Sequence, residues 1–273
     1  MAWLISWSDF LVRTSNEGFD DYVLKGALVQ NKDADHTESH TKNVSWIDGT
    51  EDSNWITAPA LSIRKWVLKA YGGNDYVQGT DNNSNWLYGH DGDDYLHGSR
   101  LFKDYLDGGD GDDSIFGYGG NDKLTGKNGD DQIVGGPGSD RLYGGQGDDN
   151  LKGGEGNDLL LAGYGSNIYF GGPGADRFGL MKRHGQNIIG DFNPIEGDEL
   201  LIRRRHFNSV DVSFTGRGTN DEAQFWLKSS QGLTGIQAQS DTTTEDIIGA
   251  IKIVWSIQLY EDGSRSGIER ACQ

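Results

Sequence analysis

The chain has 273 residues, 34% of them hydrophobic, and a formal net charge of -18. That length gives one large domain or two small ones, and no stretch approaches the roughly 20 consecutive apolar residues of a membrane span. So acidic a surface would repel the phosphates of nucleic acid, and it favours cations or neutral partners.

The opening "MAWLISWSDF" lacks the basic start and long apolar run of a secretory signal, so any export is expected to use another route. In "HTESH", His36, Glu38 and His40 share one side if extended and could hold a transition metal. Their spacing is no recognised zinc signature, and an exposed polar loop is the default reading. Further on, "SWIDG" (45–49), "NWITA" (54–58), "KWVLKA" (65–70) and "NWLYG" (85–89) share a polar residue, a Trp and an aliphatic. "DDYVLKG" (20–26) likewise echoes "NDYVQG" (74–79). Residues 1–69 are therefore expected to form an N-terminal cap with degenerate coils of the architecture that follows, interrupted by a loop near 28–43. The alternative is a separate cap whose Trp residues are simply core.

Residues 70–179 carry 29 of the 42 glycines, and 19 Asp or Glu against 7 Lys or Arg. A flexible linker would have no reason to keep a period, and this segment keeps one of nine, apart from two tens. With the acidic residue counted as sixth of nine, the sixth positions include Asp75, Asp94, Asp104, Asp113, Asp122, Asp131, Asp140, Asp149, Asp158 and Asp176, with Asn85 and Asn167 as departures. The eighth position is always apolar, from Val77 to Phe178. Each nonapeptide thus divides into six turn residues and a three-residue strand whose middle side chain points inward. One such strand cannot offset its own ordering entropy, so two nonapeptides must form a coil and the coils must stack. Stacking brings the aspartates into rows that repel one another unless a cation lies between them. Calcium, which takes six to eight oxygens from carboxylates and carbonyls, fits that need.

Eight of these repeats, starting at Gly89, Gly108, Gly117, Gly126, Gly135, Gly144, Gly153 and Gly171, have Gly at positions one and four and Asp at six. A run such as "GGQGDDNLKGGEGNDLLL" resembles the GGxGxDxUx nonapeptides of repeats-in-toxin (RTX) proteins. The resemblance implies an all-β fold, a parallel β-roll with capping segments at both ends, in which stacked sixth-position carboxylates share calcium. The implied ligands are Asp94, Asp104, Asp113, Asp122, Asp131, Asp140, Asp149, Asp158 and Asp176, together with Asp75. Fifth-position acids such as Asp112, Asp130 and Asp148 are read as solvated charges. The N-terminal coils, which lack the Gly and Asp turn motif, are expected to be calcium-poor.

The seventh position should point outward. Taken on alternate coils it gives one sheet Trp46, Trp66, Trp86 and Tyr105, then Lys123 and Arg141, and the other Trp55, Tyr76 and Tyr95, then Ser114 and Gln132. Such an aromatic ladder either stabilises the calcium-poor coils or forms a platform for a sugar or protein.

After the repeats, "NIIGDFNPIEGDELLI" (187–202) resembles the strand and turn that close an RTX roll, with Ile189, Phe192 and Leu200 as capping core. The calcium-binding roll is thus expected over 70–190, and a C-terminal cap with a possible secretion-signal region over 191–273, including a short helix at 244–252. The single Cys272 cannot form an intrachain disulfide. Among RTX proteins a C-terminal segment commonly directs type I secretion. The chain is accordingly expected to be secreted, to fold on binding calcium, and to act as a structural or interaction module. Absence of HExxH, GxSxG, P-loop and CxxC motifs argues against an enzyme. The alternatives are an adhesion module for a polysaccharide or cell surface, and a small carbohydrate-active enzyme built on the roll.

Overall fold

A computed structural model describes residues 11–13, 22–24, 44–59, 65–180, 185–203, 211–217, 223–229, 232–238 and 242–254. From Val44 onward the chain winds as a parallel β-roll whose successive strands alternate between a 10-stranded and an 11-stranded sheet. The first sheet begins with Val44–Thr50, Lys65–Gly72 and Asn85–Asp91, and the second with Trp55–Thr57, Tyr76–Gln78 and Tyr95–His97. Each nine-residue repeat makes half a coil, so strands pair in parallel with those eighteen residues on, as Lys123 pairs with Arg141 and Leu124 with Leu142. Where a ten-residue repeat intervenes the offset is nineteen, as between Tyr95 and Ser114. The extra residue is absorbed in the turn and the strand register survives.

Eighth-position side chains fill the space between the sheets. Leu87, Leu106, Leu124, Leu142 and Leu160 stack from the first sheet, and Val77, Leu96, Ile115, Ile133 and Leu151 from the second, all fully buried. Towards the C-terminal end the column enlarges to Tyr169, Phe178 and Phe192, whose rings pack edge-on or tilted at 6.1 and 5.9 Å. Turns stack as tightly as strands. A Cβ at Gly109 (φ +130) would lie 1.8 Å from the His90 carbonyl oxygen of the preceding coil, so only glycine fits there.

The ends differ from expectation in three respects. Tyr22–Leu24 does not add a coil; it pairs antiparallel with Leu11–Arg13 in a sheet of its own. Trp66 does not stand in line with Trp46 and Trp86, because the strands pair Ser45–Trp66–Asn85 and Trp46–Val67–Trp86. Leu68 takes the core position between Ile47 and Leu87, and in a period of two that one-residue shift turns Trp66 inward. The roll also continues beyond 190. Gln186–Phe192 and Glu199–Arg203 make a further coil, and Gly232–Ala238 and Ile251–Val254 add a parallel strand to each sheet. Asp211–Arg217 and Ala223–Ser229 then pair antiparallel along the second sheet. A helix, Thr244–Ala250, joins the last two roll strands, capped by reciprocal bonds between Thr243 and Asp246. His36, Glu38, His40 and Cys272 lie outside the described residues. Among those described, no helix is long and apolar enough to cross a membrane.

Because Leu124 sits in mid-column, Leu124→Ala is expected to cost about 2–5 kcal/mol. Denaturant unfolding in calcium checks it, and the number of ions bound should not change.

Candidate metal centre

The turns set the sixth-position residues in two rows. Asn54, Asp75, Asp94, Asp113, Asp131, Asp149, Asn167 and Asn187 stand just before or at the start of the strands of the second sheet. Asn85, Asp104, Asp122, Asp140, Asp158, Asp176 and Asp198 take the same place in the first. Within each row every backbone N–H before the last residue donates to Oδ1 of the residue one coil further on, at 2.7–3.1 Å between aspartates. One carboxylate oxygen is thereby used by the backbone. The other, Oδ2 of Asp75, Asp94, Asp113, Asp122, Asp131, Asp140, Asp149, Asp158 and Asp176, is buried without a hydrogen-bond partner.

Position-one glycine keeps the space beside that oxygen clear. A Cβ at Gly89, Gly108, Gly117, Gly126, Gly135, Gly144, Gly153 or Gly171 would come within 1.9–2.5 Å of the Oδ2 five residues on. Burial pushes the carboxyls up, to about 6 for Asp94 and Asp140, about 7 for Asp75, Asp131, Asp158 and Asp176, and about 8 for Asp113, Asp122 and Asp149. The backbone bond opposes this shift, and neighbouring carboxylates add to it at most of these sites. Nine buried acceptor oxygens in two rows suit a hard cation that ligates oxygen. No cluster of three or more His, Cys, Asp or Glu side chains that could hold a metal occurs among the described residues.

The family model for the RTX calcium-binding nonapeptide repeat matches residues 69–100, 102–133, 117–151, 125–160 and 143–178. The chain carries an RTX calcium-binding repeat array. It is also similar to the solution structure of the AlgE6R3 subunit from the Azotobacter vinelandii mannuronan C5-epimerase, at 22% identity over 64% of this chain and 90% of that one, with a TM-score of 0.21. No curated protein matches significantly.

Within the RTX array not every sixth-position residue is equivalent. Asp104 has both oxygens engaged, because its Oδ2 accepts from the Ser99 N–H and hydroxyl at 2.5 and 2.7 Å in the ten-residue repeat. Asn85 accepts from Thr80 N–H and donates to the Thr80 and Asn83 carbonyls. Asp198, which sequence reasoning missed, extends a row, and its Oδ2 accepts from Asn193 N–H at 2.8 Å. Its signal was present: "DEL" at 198–200 repeats the polar, variable, apolar order of "DRF" at 176–178. The fifth-position Asp112, Asp130 and Asp148 are exposed, yet each accepts a backbone N–H from the next coil at 2.7–2.8 Å. Of the proposed aromatic ladder, Trp86 is exposed, Trp46 and Tyr105 are half-buried, and Trp66 is buried.

Carboxyls raised in the folded chain above the roughly 4 of an unfolded one stabilise the metal-free roll fully below about pH 4. That contribution is lost as pH rises through 6–8, the span of the folded values. Circular dichroism in metal-free buffer should therefore show more β signal at pH 5 than at pH 8.5, where the uncompensated carboxylates oppose folding. An equal or stronger β signal at pH 8.5 would contradict the assignment of buried, uncompensated carboxyls.

Proposed function

We propose that this RTX β-roll folds on binding calcium outside the cell and serves there as a structural or interaction module. The nine buried Oδ2 atoms without partners carry this reading. The ligands are Asp75, Asp94, Asp113, Asp131 and Asp149 in one row and Asp122, Asp140, Asp158 and Asp176 in the other, with turn carbonyls completing each shell. Calcium, when bound, supplies the positive charge that lets these carboxyls ionise in a buried row. Asp104 is left out, since Ser99 already satisfies it.

The function follows from the coupling. Without the ion, like charges and glycine entropy oppose folding, so binding free energy becomes folding free energy. At submicromolar cytosolic calcium the array stays unfolded and threads a secretion channel of type I; at millimolar calcium outside it folds. In this scheme 70–190 is the calcium-dependent array, 1–69 an N-terminal cap with calcium-poor coils, and 191–273 a C-terminal cap with the export signal.

Circular dichroism tests it directly. The β signal should fall in chelator and return with calcium, and an unchanged signal in chelator would sink the proposal. Asp131→Ala and Asp140→Ala should each lower the calcium stoichiometry measured by titration calorimetry, whereas Asp130→Ala, losing only an exposed bond to Asp148 N–H, should not. A chain beginning at residue 70 loses the apolar coils of Ile47, Ile56 and Leu68, and should need more calcium to reach half-folding.

A further inference from the structure

The outward side of the second sheet differs from the rest of the molecule. Its seventh positions run Trp55, Tyr76, Tyr95, Ser114, Gln132 and Asn150, and its ninth positions Thr57, Gln78, His97, Phe116 and Val134. In a chain where 24% of residues are charged, these two columns hold no Asp, Glu, Lys or Arg until Lys152. Burial lowers the pKa of His97, so the imidazole is neutral near pH 7. Rings follow one another from coil to coil, Trp55 to Tyr76 at 4.6 Å, diagonally from Tyr76 to His97 at 5.1 Å, and His97 to Phe116 at 5.1 Å. Tyr118 joins from the turn, its hydroxyl 2.7 Å from His97 Nδ1. Trp55, Tyr95 and Tyr118 remain 59%, 52% and 43% exposed. Beyond the rings the face descends into a cavity of about 380 Å³ lined by Gln132, Val134, Asn150, Lys152, Phe170 and Asp191.

We propose that this face binds an uncharged linear polysaccharide, whose pyranose rings pack on Trp55, Tyr76, Tyr95 and Tyr118 and whose hydroxyls meet the amides of Gln78, Gln132 and Asn150. The faces of aromatic rings are electron-rich and attract the weakly positive C–H groups that line one side of a pyranose. Amide side chains offer a donor and an acceptor side by side, the pairing that sugar hydroxyls need. Stacked strands repeat at about 4.8 Å, so the platform is rigid and continuous along the roll axis. A polyanion would meet a net charge of -18 with no cation on these columns short of Lys152. Cationic partners find their counter-charge in the acidic turns instead.

The opposite face lacks this character. There Lys127 pairs with Asp107 at 2.7 Å, Lys123 lies between the Tyr105 and Tyr143 rings at 4.9 and 5.8 Å, and Val67 interrupts the Trp column. Both lysines are thus engaged by neighbouring side chains, and the exposed Trp86 has Val67 rather than a ring on one side of it in its column.

Affinity electrophoresis of the full chain in calcium tests the proposal, with mixed-linkage β-glucan, arabinoxylan and galactomannan as neutral probes and polygalacturonate as the charged one. At least one neutral polymer should retard the protein, and the Trp55→Ala, Tyr95→Ala double variant should weaken that binding by about tenfold or more. Tyr118 has a left-handed backbone (φ 69), so Tyr118→Gly removes a ring while suiting the turn, and it should also weaken binding. Calcium-dependent circular dichroism should be unchanged in both variants. Retardation by polygalacturonate alone, by none of the polymers, or undiminished in the folded variants would overturn the assignment. So would a concentration-dependent dimer abolished by the same substitutions, which would give the face to a second copy of the chain. None of these outcomes bears on calcium binding, which is read separately by calorimetry.

Discussion

A single backbone-to-carboxylate bond, repeated once per half-coil, governs this molecule. Each sixth-position N–H lies at the mouth of a turn, buried, with no strand partner, and a buried donor left unmade costs about 1–3 kcal/mol. Oδ1 of the residue one coil on supplies the acceptor. That choice draws the whole carboxyl group out of water, strands Oδ2 beside the position-one glycine, and raises its pKa. Asparagine makes the same bond, as Asn167 does for Asp149 N–H at 2.8 Å. The ladder therefore needs only an amide or carboxyl oxygen. Use of aspartate in most rungs is a separate choice, and it creates the demand for a cation.

An outer ladder runs the other way. Fifth-position side chains at Asp93, Asp112, Asp130 and Asp148 accept from the N–H of the coil that follows, while the sixth-position side chains reach back to the coil before. Two opposed sets of bonds hold each turn at fixed height against both neighbours. Glycine supplies the backbone angles and the clearance, and the side-chain oxygens supply the register. The inward leucines and isoleucines then need only to be apolar and of similar size. Specificity of stacking resides in the turns, and the strands contribute burial.

Much of this was legible because period nine assigns each residue a direction. Leu124 and Ile133 could be placed in the core, and Asp122 and Asp131 in rows, from spacing alone. Trp66 was misplaced because alignment on tryptophan overrode alignment on the core aliphatic, and Leu68 decides the register. Asp198 escaped notice because its turn, "NPIEGD", has lost the position-one glycine while keeping the strand. The bonds of Asp112 and Asp130 were hidden for a different reason: their partners are backbone groups eighteen residues away, and composition says nothing of those. Likewise His97, Phe116 and Tyr118 sit at ninth and second positions, and only the stacked coils bring His97 to Tyr76 and the other two rings to His97.

The rows close as a bridging cation requires. An ion between coils draws on an oxygen from each side, so the first and last rungs of a row, with a neighbour on one side only, would keep an uncompensated buried charge if their oxygens were free carboxylates. One row begins with Asn54 and ends with Asn167 and Asn187, all amides. The other begins with Asn85 and then Asp104, whose Oδ2 Ser99 satisfies, and ends with Asp198, whose Oδ2 accepts from Asn193. Oxygens without partners are thereby confined to the interior, from Asp75 to Asp149 and from Asp122 to Asp176. At each terminus the inner ladder continues for a rung or two by amide, hydroxyl or backbone hydrogen bonds. Under the proposed calcium bridging, the acid pattern sets where bridging stops as well as where it occurs, and the apolar coils of Ile47 and Leu68 lie beyond its N-terminal limit.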